Sequence, residues 1–115
     1  MSALPNDIKY APSFPVTIHI AGDYETAREE CQRFCDIHGL CVTVTPTEYI
    51  YTGGSEAGVR VGLINYPRFP KMGTEIALQA IELAYALRAA LGQQSFSVET
   101  PENTTWFSWR ERDVV

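Results

Sequence analysis

The order of strand-type and helix-type patterns constrains the fold of this chain more than any other feature. Apolar residues alternate with polar ones at Val16, Ile18 and Ile20, which is the period of a half-buried strand. An amphipathic helix follows, with Asp23 as a suitable N-cap residue and Gly39 as a stop signal. The first part of the chain therefore predicts a strand followed by a helix.

A long hairpin is predicted after this helix. A second alternating strand begins at Leu40, and Pro46 should bend it or place it at a sheet edge. β-Prone sequence resumes at Tyr49, and the glycine-rich segment 53–58 predicts the hairpin turn. A third alternating strand starts at Val59.

The last third of the chain repeats the helix-strand order. Thr74 is the expected cap of a second helix that runs to about Leu91 and stops at Gly92. A fourth strand is predicted around Phe96 and Val98, and segment 105–110 is a short aromatic stretch before a charged tail.

The resulting order is strand, helix, strand, strand, helix, strand. Because strand-helix-strand crossovers are right-handed, the compact solution is an α+β, ferredoxin-like βαββαβ sandwich. Its four-stranded antiparallel sheet carries both helices on one face. We expect an extended N-terminal arm at 1–15, a single ferredoxin-like domain at 16–110 and a charged tail at 111–115.

Charge and composition exclude several function classes. Nine basic against 14 acidic residues give a net charge of −5, which argues against a nucleic-acid partner. No apolar run is long enough to span a membrane, and the N-terminus lacks the pattern of a secretory signal. Three cysteines do not make a disulfide framework, so a cytoplasmic location is expected.

A first candidate site lies on the sheet face that the helices leave open. The first and third strands are central neighbours in this fold, so His19 and Arg60 are expected to lie close together, with space beside them at Gly62. Such a pair suits an anionic group. The alternative is a solvated sheet face with a surface Arg–Glu pair of little energetic consequence.

A second candidate site is the proline-punctuated loop 65–73, where aromatic side chains flank a guanidinium group. Tyr66, Arg68 and Phe69 suit a flat or anionic ligand through stacking and bidentate hydrogen bonds. They equally suit a protein interface, or a loop whose aromatic rings cap the core.

The cysteines allow two interpretations. Cys31, Cys35 and His38 recur at helical spacing and suggest a metal, but this stripe should face the sheet, where buried cysteine acts as a small apolar residue. Cys41 should point to the open face as a free thiol, without a neighbouring base. We therefore expect no metal site and no cofactor.

No nucleotide-binding, hydrolase-elbow or zinc-protease motif occurs in the chain. A paired-carboxylate site among Glu48, Glu56 and Glu99 is possible, although the sequence does not fix their separation. No catalytic residue is therefore assigned, and the prediction leans toward a protein without enzymatic activity.

The chain resembles the CutA proteins and, more distantly, the PII signalling proteins. The segments that carry the resemblance, and the aromatic residues that match the CutA tail, are Ala27–Cys31, Gly39–Val44, Tyr51, Val59–Leu63, Trp106 and Trp109. The resemblance implies a ferredoxin-like core, a long hairpin after the second strand and trimeric assembly. It implies no copper or nucleotide site here.

These observations favour a non-enzymatic, cytoplasmic, homo-oligomeric binding or regulatory protein, with a trimer favoured. Its ligand would be a small anionic molecule or a protein partner, as in phage accessory proteins of similar size that capture a signal or block a host factor. His19, Arg60, Tyr66, Arg68 and Phe69 would line the site. The alternatives are a small hydrolase or transferase using His19 and Arg60, and a purely structural or interaction domain.

Overall fold

The computed structural model describes residues 3–111, so most of the expected charged tail at 111–115 lies outside the described residues. Five strands form one antiparallel sheet in the order β2-β3-β1-β4-β5, and two helices complete the fold. In chain order the elements are β1 (Val16–Ala21), α1 (Tyr24–His38), β2 (Thr43–Tyr51), β3 (Gly54–Leu63), α2 (Gly73–Leu91), β4 (Ser95–Glu99) and β5 (Thr104–Ser108). The α+β class is confirmed.

One face of the sheet packs on both helices and forms the core. Every second residue of β1 is buried, starting at Val16, and α2 contributes the fully buried Leu83 and Leu87. The alternation places the odd-numbered residues of β1 on the opposite, open face. Strands β1 and β3 pair directly, with Val16 opposite Leu63, which confirms that the predicted central strands lie side by side.

The prediction of four strands is wrong, because the aromatic segment near the C-terminus forms a fifth. β5 pairs antiparallel with β4, with Phe96 opposite Phe107. These two rings stack with centroids 4.9 Å apart, while Trp106 points to the other face of the sheet. The alternation of Phe107 and Trp106 is that of an edge strand, so the segment extends the sheet.

The hairpin differs from its prediction at both ends. β2 begins at Thr43 and not at Leu40, because Leu40 and Cys41 belong to the connection that follows α1. The turn occupies residues 52–53, with Gly53 at φ +83°, and the glycines from Gly54 onward pair with β2. Pro46 lies in β2, which is an edge strand, as expected.

The helix boundaries follow the cap signals at three of four ends. The Asp23 carboxylate accepts the Thr26 N–H at 2.9 Å, and this bond holds the pKa of Asp23 below its ordinary value. Gly39 and Gly92 end the helices in the left-handed conformation. The expected cap at Thr74 is wrong: the N-cap residue of α2 is Met72, two residues earlier, and it makes no side-chain cap hydrogen bond.

The cysteine stripe of α1 is only partly in the core. Cys31 is buried as expected, and burial is the main cause that raises its pKa to about 12. Cys35 is half-buried, and His38 is exposed, where its ring lies 4.1 Å from that of Phe34. The expectation that His38 faces the sheet is therefore wrong, because it lies in the last turn of α1, just before Gly39.

Asn65 ties the N-terminal arm to the loop between β3 and α2. Its side-chain amide donates to Pro12 O at 2.9 Å and its carbonyl accepts the Lys71 N–H at 2.9 Å, and the residue is buried. Asn65→Ala would leave one acceptor and one donor of the backbone without these partners.

We expect Asn65→Ala to lower the free energy of unfolding by about 2 kcal/mol, since it removes two hydrogen bonds that are each worth about 0.5–1.5 kcal/mol. Urea denaturation followed by circular dichroism measures the change. Asn103→Ala, at an exposed turn, is the matched control and should change it by less than about 0.5 kcal/mol. Equal effects of the two substitutions would contradict the anchoring role.

Within residues 3–111, neither helix is long and apolar enough to cross a membrane.

Candidate functional site

The open face of the sheet brings together side chains from four neighbouring strands. His19 of β1 is opposite Arg60 of β3 on one side and opposite Ser97 of β4 on the other. Thr45 of β2 is opposite Arg60. Because cross-strand partners point to the same face, the predicted proximity of His19 and Arg60 is confirmed.

His19 is the centre of a hydrogen-bond network on this face. Its Nε2 lies 3.0 Å from Glu99 Oε1, and its Nδ1 lies 3.3 Å from the Tyr49 hydroxyl. The Tyr49 hydroxyl also donates to Val59 O at 2.9 Å. Because the Tyr49 hydroxyl donates its hydrogen to Val59 O, His19 Nδ1 is the donor in the contact with Tyr49.

The Tyr49 ring can lie against the sheet because Gly58 has no side chain. A Cβ atom on Gly58 would lie 2.6 Å from Tyr49 Cε2 and 2.6 Å from Ile20 O. The ring therefore lies directly over the backbone of β3, and burial raises the pKa of its phenol. The phenol remains a hydrogen-bond donor at neutral pH.

A shallow cleft of about 190 Å³ lies beside His19 and Tyr49. Trp106, 64% exposed, and Tyr51 contribute aromatic surface to it, and Glu56 accepts a hydrogen bond from the Tyr51 hydroxyl at 3.1 Å. With Arg110 in its lining and Glu99 at its side, this part of the face combines aromatic rings with carboxylates and a guanidinium, which suits a ligand that carries both cationic and anionic groups.

Arg60 lies next to this network without joining it. It is exposed, and among the described residues its guanidinium makes no hydrogen bond or ion pair. The expected surface Arg–Glu pair is replaced by the His19–Glu99 pair. Arg60 is thus available to hold an anionic group of a ligand that also contacts Glu99 or Tyr49.

The three loop residues of the predicted site lie elsewhere. Tyr66, Arg68 and Phe69 line a cavity of about 560 Å³ that shares no residue with the cleft at His19. The five predicted residues therefore belong to two separate sites and do not line one pocket. The reason is that the loop follows the end of β3 at Leu63, whereas His19 lies opposite Arg60 farther back along that strand.

Cys41 belongs to the loop cavity and not to the open face. Its thiol is exposed and lies 3.3 Å from the Tyr66 hydroxyl, and this hydrogen bond is the main cause that raises the pKa of Tyr66. The expectation of an open-face thiol is wrong because β2 starts two residues later. Among residues 3–111, no three His, Cys, Asp or Glu side chains group closely enough to hold a metal ion.

The sequence analysis missed Trp106 as a site residue, left Tyr49 and Tyr51 open between a ligand site, an interface and the core, and did not pair Glu99 with His19. The register of the sheet is the information that places Tyr49, Trp106 and Glu99 beside His19. Tyr49 is opposite Glu56, Trp106 is opposite Ser97, and Glu99 is opposite Thr17, so all share the face of His19. Alternation assigns each residue to a face, but the cross-strand neighbours depend on the pairing.

Comparison with known proteins gives matches to solved structures. No protein-family model and no curated protein sequence matches the chain. A phage SAM lyase in the apo state is similar with a TM-score of 0.70 at 14% identity, covering 87% of this chain and 92% of that one. A phage SAM lyase in complex with S-methyl-5'-thioadenosine is similar with a TM-score of 0.67 at 13% identity, covering 94% and 100%.

These matches show a shared fold over nearly the whole of both chains. They contradict the expectation of a non-enzymatic binding or regulatory protein, because both matched structures are those of an enzyme. The same finding contradicts the alternative of a purely structural domain. It does not test the alternative of a hydrolase or transferase using His19 and Arg60.

Proposed function

We propose that this protein is a lyase that cleaves S-adenosylmethionine (SAM) and releases S-methyl-5'-thioadenosine. The observation that carries the proposal is the fold match to a phage SAM lyase over nearly the whole of both chains. The arrangement on the open face supports it, because carboxylates and aromatic rings there complement a sulfonium cation.

The reaction needs neither water nor a cofactor to balance. The carboxylate oxygen of the methionyl part attacks its own Cγ, a C–O bond forms, and the Cγ–S bond breaks. The electron pair of the broken bond goes to sulfur, which becomes the neutral thioether of S-methyl-5'-thioadenosine. The remaining four carbons close into a lactone that keeps the ammonium group, so every atom of SAM is accounted for.

Charge selects the open face over the larger loop cavity as the site. SAM carries a sulfonium, an ammonium and a carboxylate group and is a cation overall. The loop cavity is lined by Arg68 and Lys71 and by no Asp or Glu, so it would repel such a molecule. The cleft at His19 has both Glu56 and Arg110 in its lining and Glu99 at its side, so it has carboxylates for the cationic groups of SAM and a guanidinium for its carboxylate.

In this proposal Glu99 holds the substrate ammonium group, whose charge persists through the reaction. His19 is a positioning residue, because its imidazole orients the Glu99 carboxylate at 3.0 Å. Tyr49 and Trp106 offer rings to the sulfonium and the adenine. The positive charge on sulfur and the negative charge on the nucleophile cancel as the bond forms, so a site that excludes water favours the reaction.

We further propose that the fold is of the ferredoxin-like class with an added edge strand, and that the protein is a homo-oligomer, with a trimer favoured. The cleft of one chain holds about 190 Å³, below the roughly 300–1,000 Å³ of ordinary ligand sites. A second copy against the open face would supply the missing wall. The resemblance to CutA and PII proteins is in keeping with such an assembly, and size measurement by light scattering tests it.

The direct test is incubation of purified protein with SAM, with both products measured by mass spectrometry. We expect S-methyl-5'-thioadenosine and the four-carbon lactone in equal amounts, well above the breakdown of SAM in heat-denatured protein. Running the reaction in ¹⁸O-labelled water should leave the first-formed lactone unlabelled. Absence of product above the denatured control, or S-adenosylhomocysteine in its place, would refute the proposal.

A further inference from the structure

We propose that the loop cavity, lined by Tyr66, Arg68, Phe69 and Lys71 on one side, is a second binding site that takes a small organic anion with an apolar body, such as an aryl or medium-chain carboxylate. This site goes beyond the proposed lyase function and does not depend on it. No lining residue of the cavity belongs to the cleft at His19.

The charge of the lining points to an anion. The chain has 14 acidic and nine basic residues, yet two of the basic ones line this cavity and none of the acidic ones does. The lining of the cavity is therefore positively charged, whereas the chain as a whole has a net charge of −5. Such a cavity attracts a carboxylate or sulfonate and disfavours a cation.

The walls supply the apolar part of the site. Leu40, Leu63 and Ile76 line the cavity, with the Phe69 ring, which is 66% exposed, at its side. The Arg68 guanidinium lies 5.3 Å from the centroid of this ring. The cavity of about 560 Å³ falls within the range of ordinary small-molecule sites, so an eight-carbon chain or a pair of fused rings fits.

Lys71, one of the two cationic residues of the cavity, is held in place before a ligand binds. Lys71 Nζ donates to Gln79 Oε1 at 3.1 Å, and the Lys71 backbone is fixed by the side chain of Asn65. An ammonium group has three donors, so this bond leaves donors for a ligand. Asn65 is itself held by Pro12, so the loop is braced before a ligand arrives, which lowers the entropic cost of binding.

Two polar groups at the cavity can orient a bound ligand. The Cys41 thiol and the Tyr66 hydroxyl are hydrogen-bonded to each other at 3.3 Å, and both line the cavity. Because the thiol is a weak donor, the Tyr66 hydroxyl can turn to donate to a ligand oxygen without leaving a strong partner unsatisfied. A carboxylate would then contact Arg68, Lys71 and Tyr66 together.

The test uses the fluorescent aromatic anion anilinonaphthalene sulfonate as the probe on the full chain. We expect saturable binding that octanoate displaces and octan-1-ol displaces at least tenfold less well. The double variant Arg68→Gln/Lys71→Gln should raise the Kd of the probe and of octanoate at least tenfold. The matched control Lys9→Gln/Arg33→Gln removes the same charge from exposed positions outside the cavity and should leave both unchanged.

Equal displacement by octanoate and octan-1-ol would overturn the proposal, and so would equal effects of the two double variants. Circular dichroism checks that each variant is folded, and single variants at Arg68 and Lys71 replace the double one if it is not. S-Methyl-5'-thioadenosine should fail to displace the probe. Because this assay involves no turnover, the cavity proposal and the lyase proposal can fail separately.

Discussion

Glu99→Gln is expected to lower kcat/KM for SAM cleavage about 100-fold. The substitution keeps the shape of the side chain and removes the charge that pairs with the substrate ammonium and with His19 at 3.0 Å. Hydrogen bonds to charged groups are worth about 1.5–3 kcal/mol. Since about 1.4 kcal/mol corresponds to a factor of ten, the loss of one such bond to the substrate, at about 2.8 kcal/mol, gives the stated size.

Initial rates of S-methyl-5'-thioadenosine formation over a range of SAM concentrations measure this effect. Glu102→Gln is the matched control, because Glu102 lies in the exposed turn between β4 and β5 and, unlike Glu99, is not the carboxylate that contacts His19. It should leave kcat/KM unchanged. A folded Glu99→Gln protein that cleaves SAM at the rate of the unsubstituted chain would remove Glu99 from the site.

His19 should show the signature of a positioning residue. Its removal leaves the Glu99 carboxylate in place without the imidazole that orients it, so His19→Gln should affect KM more than kcat and by less than Glu99→Gln does. If Glu99→Gln lowers kcat/KM less than His19→Gln does, the roles assigned to the two residues are reversed.

The central layers of the fold could be predicted because alternation and helix caps are local signals. The period of two at Val16–Ile20 fixed which side of β1 faces the core, and Asp23 and Gly39 bounded α1. The fifth strand could not be predicted in this way. Its pairing depends on Phe107 stacking on Phe96, a contact between residues that only the tertiary fold brings together.

The candidate site was predicted in part for the same reason. His19 and Arg60 follow from the strand order alone, since both lie on central strands. Tyr49 reaches His19 only because the hairpin register puts Thr47 opposite Gly58, and the glycine leaves room for the ring. A shift of the hairpin by one residue would send Tyr49 to the other face, and nothing local excludes that shift.

The two proposed sites differ in their charged residues. The cleft beside His19 has Glu56 and Arg110 in its lining and Glu99 at its side, whereas the loop cavity has Arg68 and Lys71 and no carboxylate. Because carboxylates are present at only one of the two sites, each site has a selectivity that its shape does not supply. A cationic substrate and an organic anion can therefore bind to the same chain without competition.

Leu83→Ala is expected to lower the free energy of unfolding by about 3–5 kcal/mol, which is the cost of a cavity in a well-packed core. Leu83 of α2 is fully buried. Small domains are stabilised by about 5–15 kcal/mol in total, so this one change removes a large fraction. Urea denaturation measured by circular dichroism gives the value, and Leu83→Val gives a smaller loss if the alanine variant does not fold.

The matched control lies on the same helix. Leu78 is 61% exposed, so Leu78→Ala removes the same atoms from a position that is not in the core and should change stability by less than about 1 kcal/mol. The proposed lyase site is on the opposite face of the sheet. The rate of SAM cleavage per folded molecule should therefore be the same in both variants. A fall in that rate for folded Leu83→Ala protein would mean that the helix layer also shapes the site.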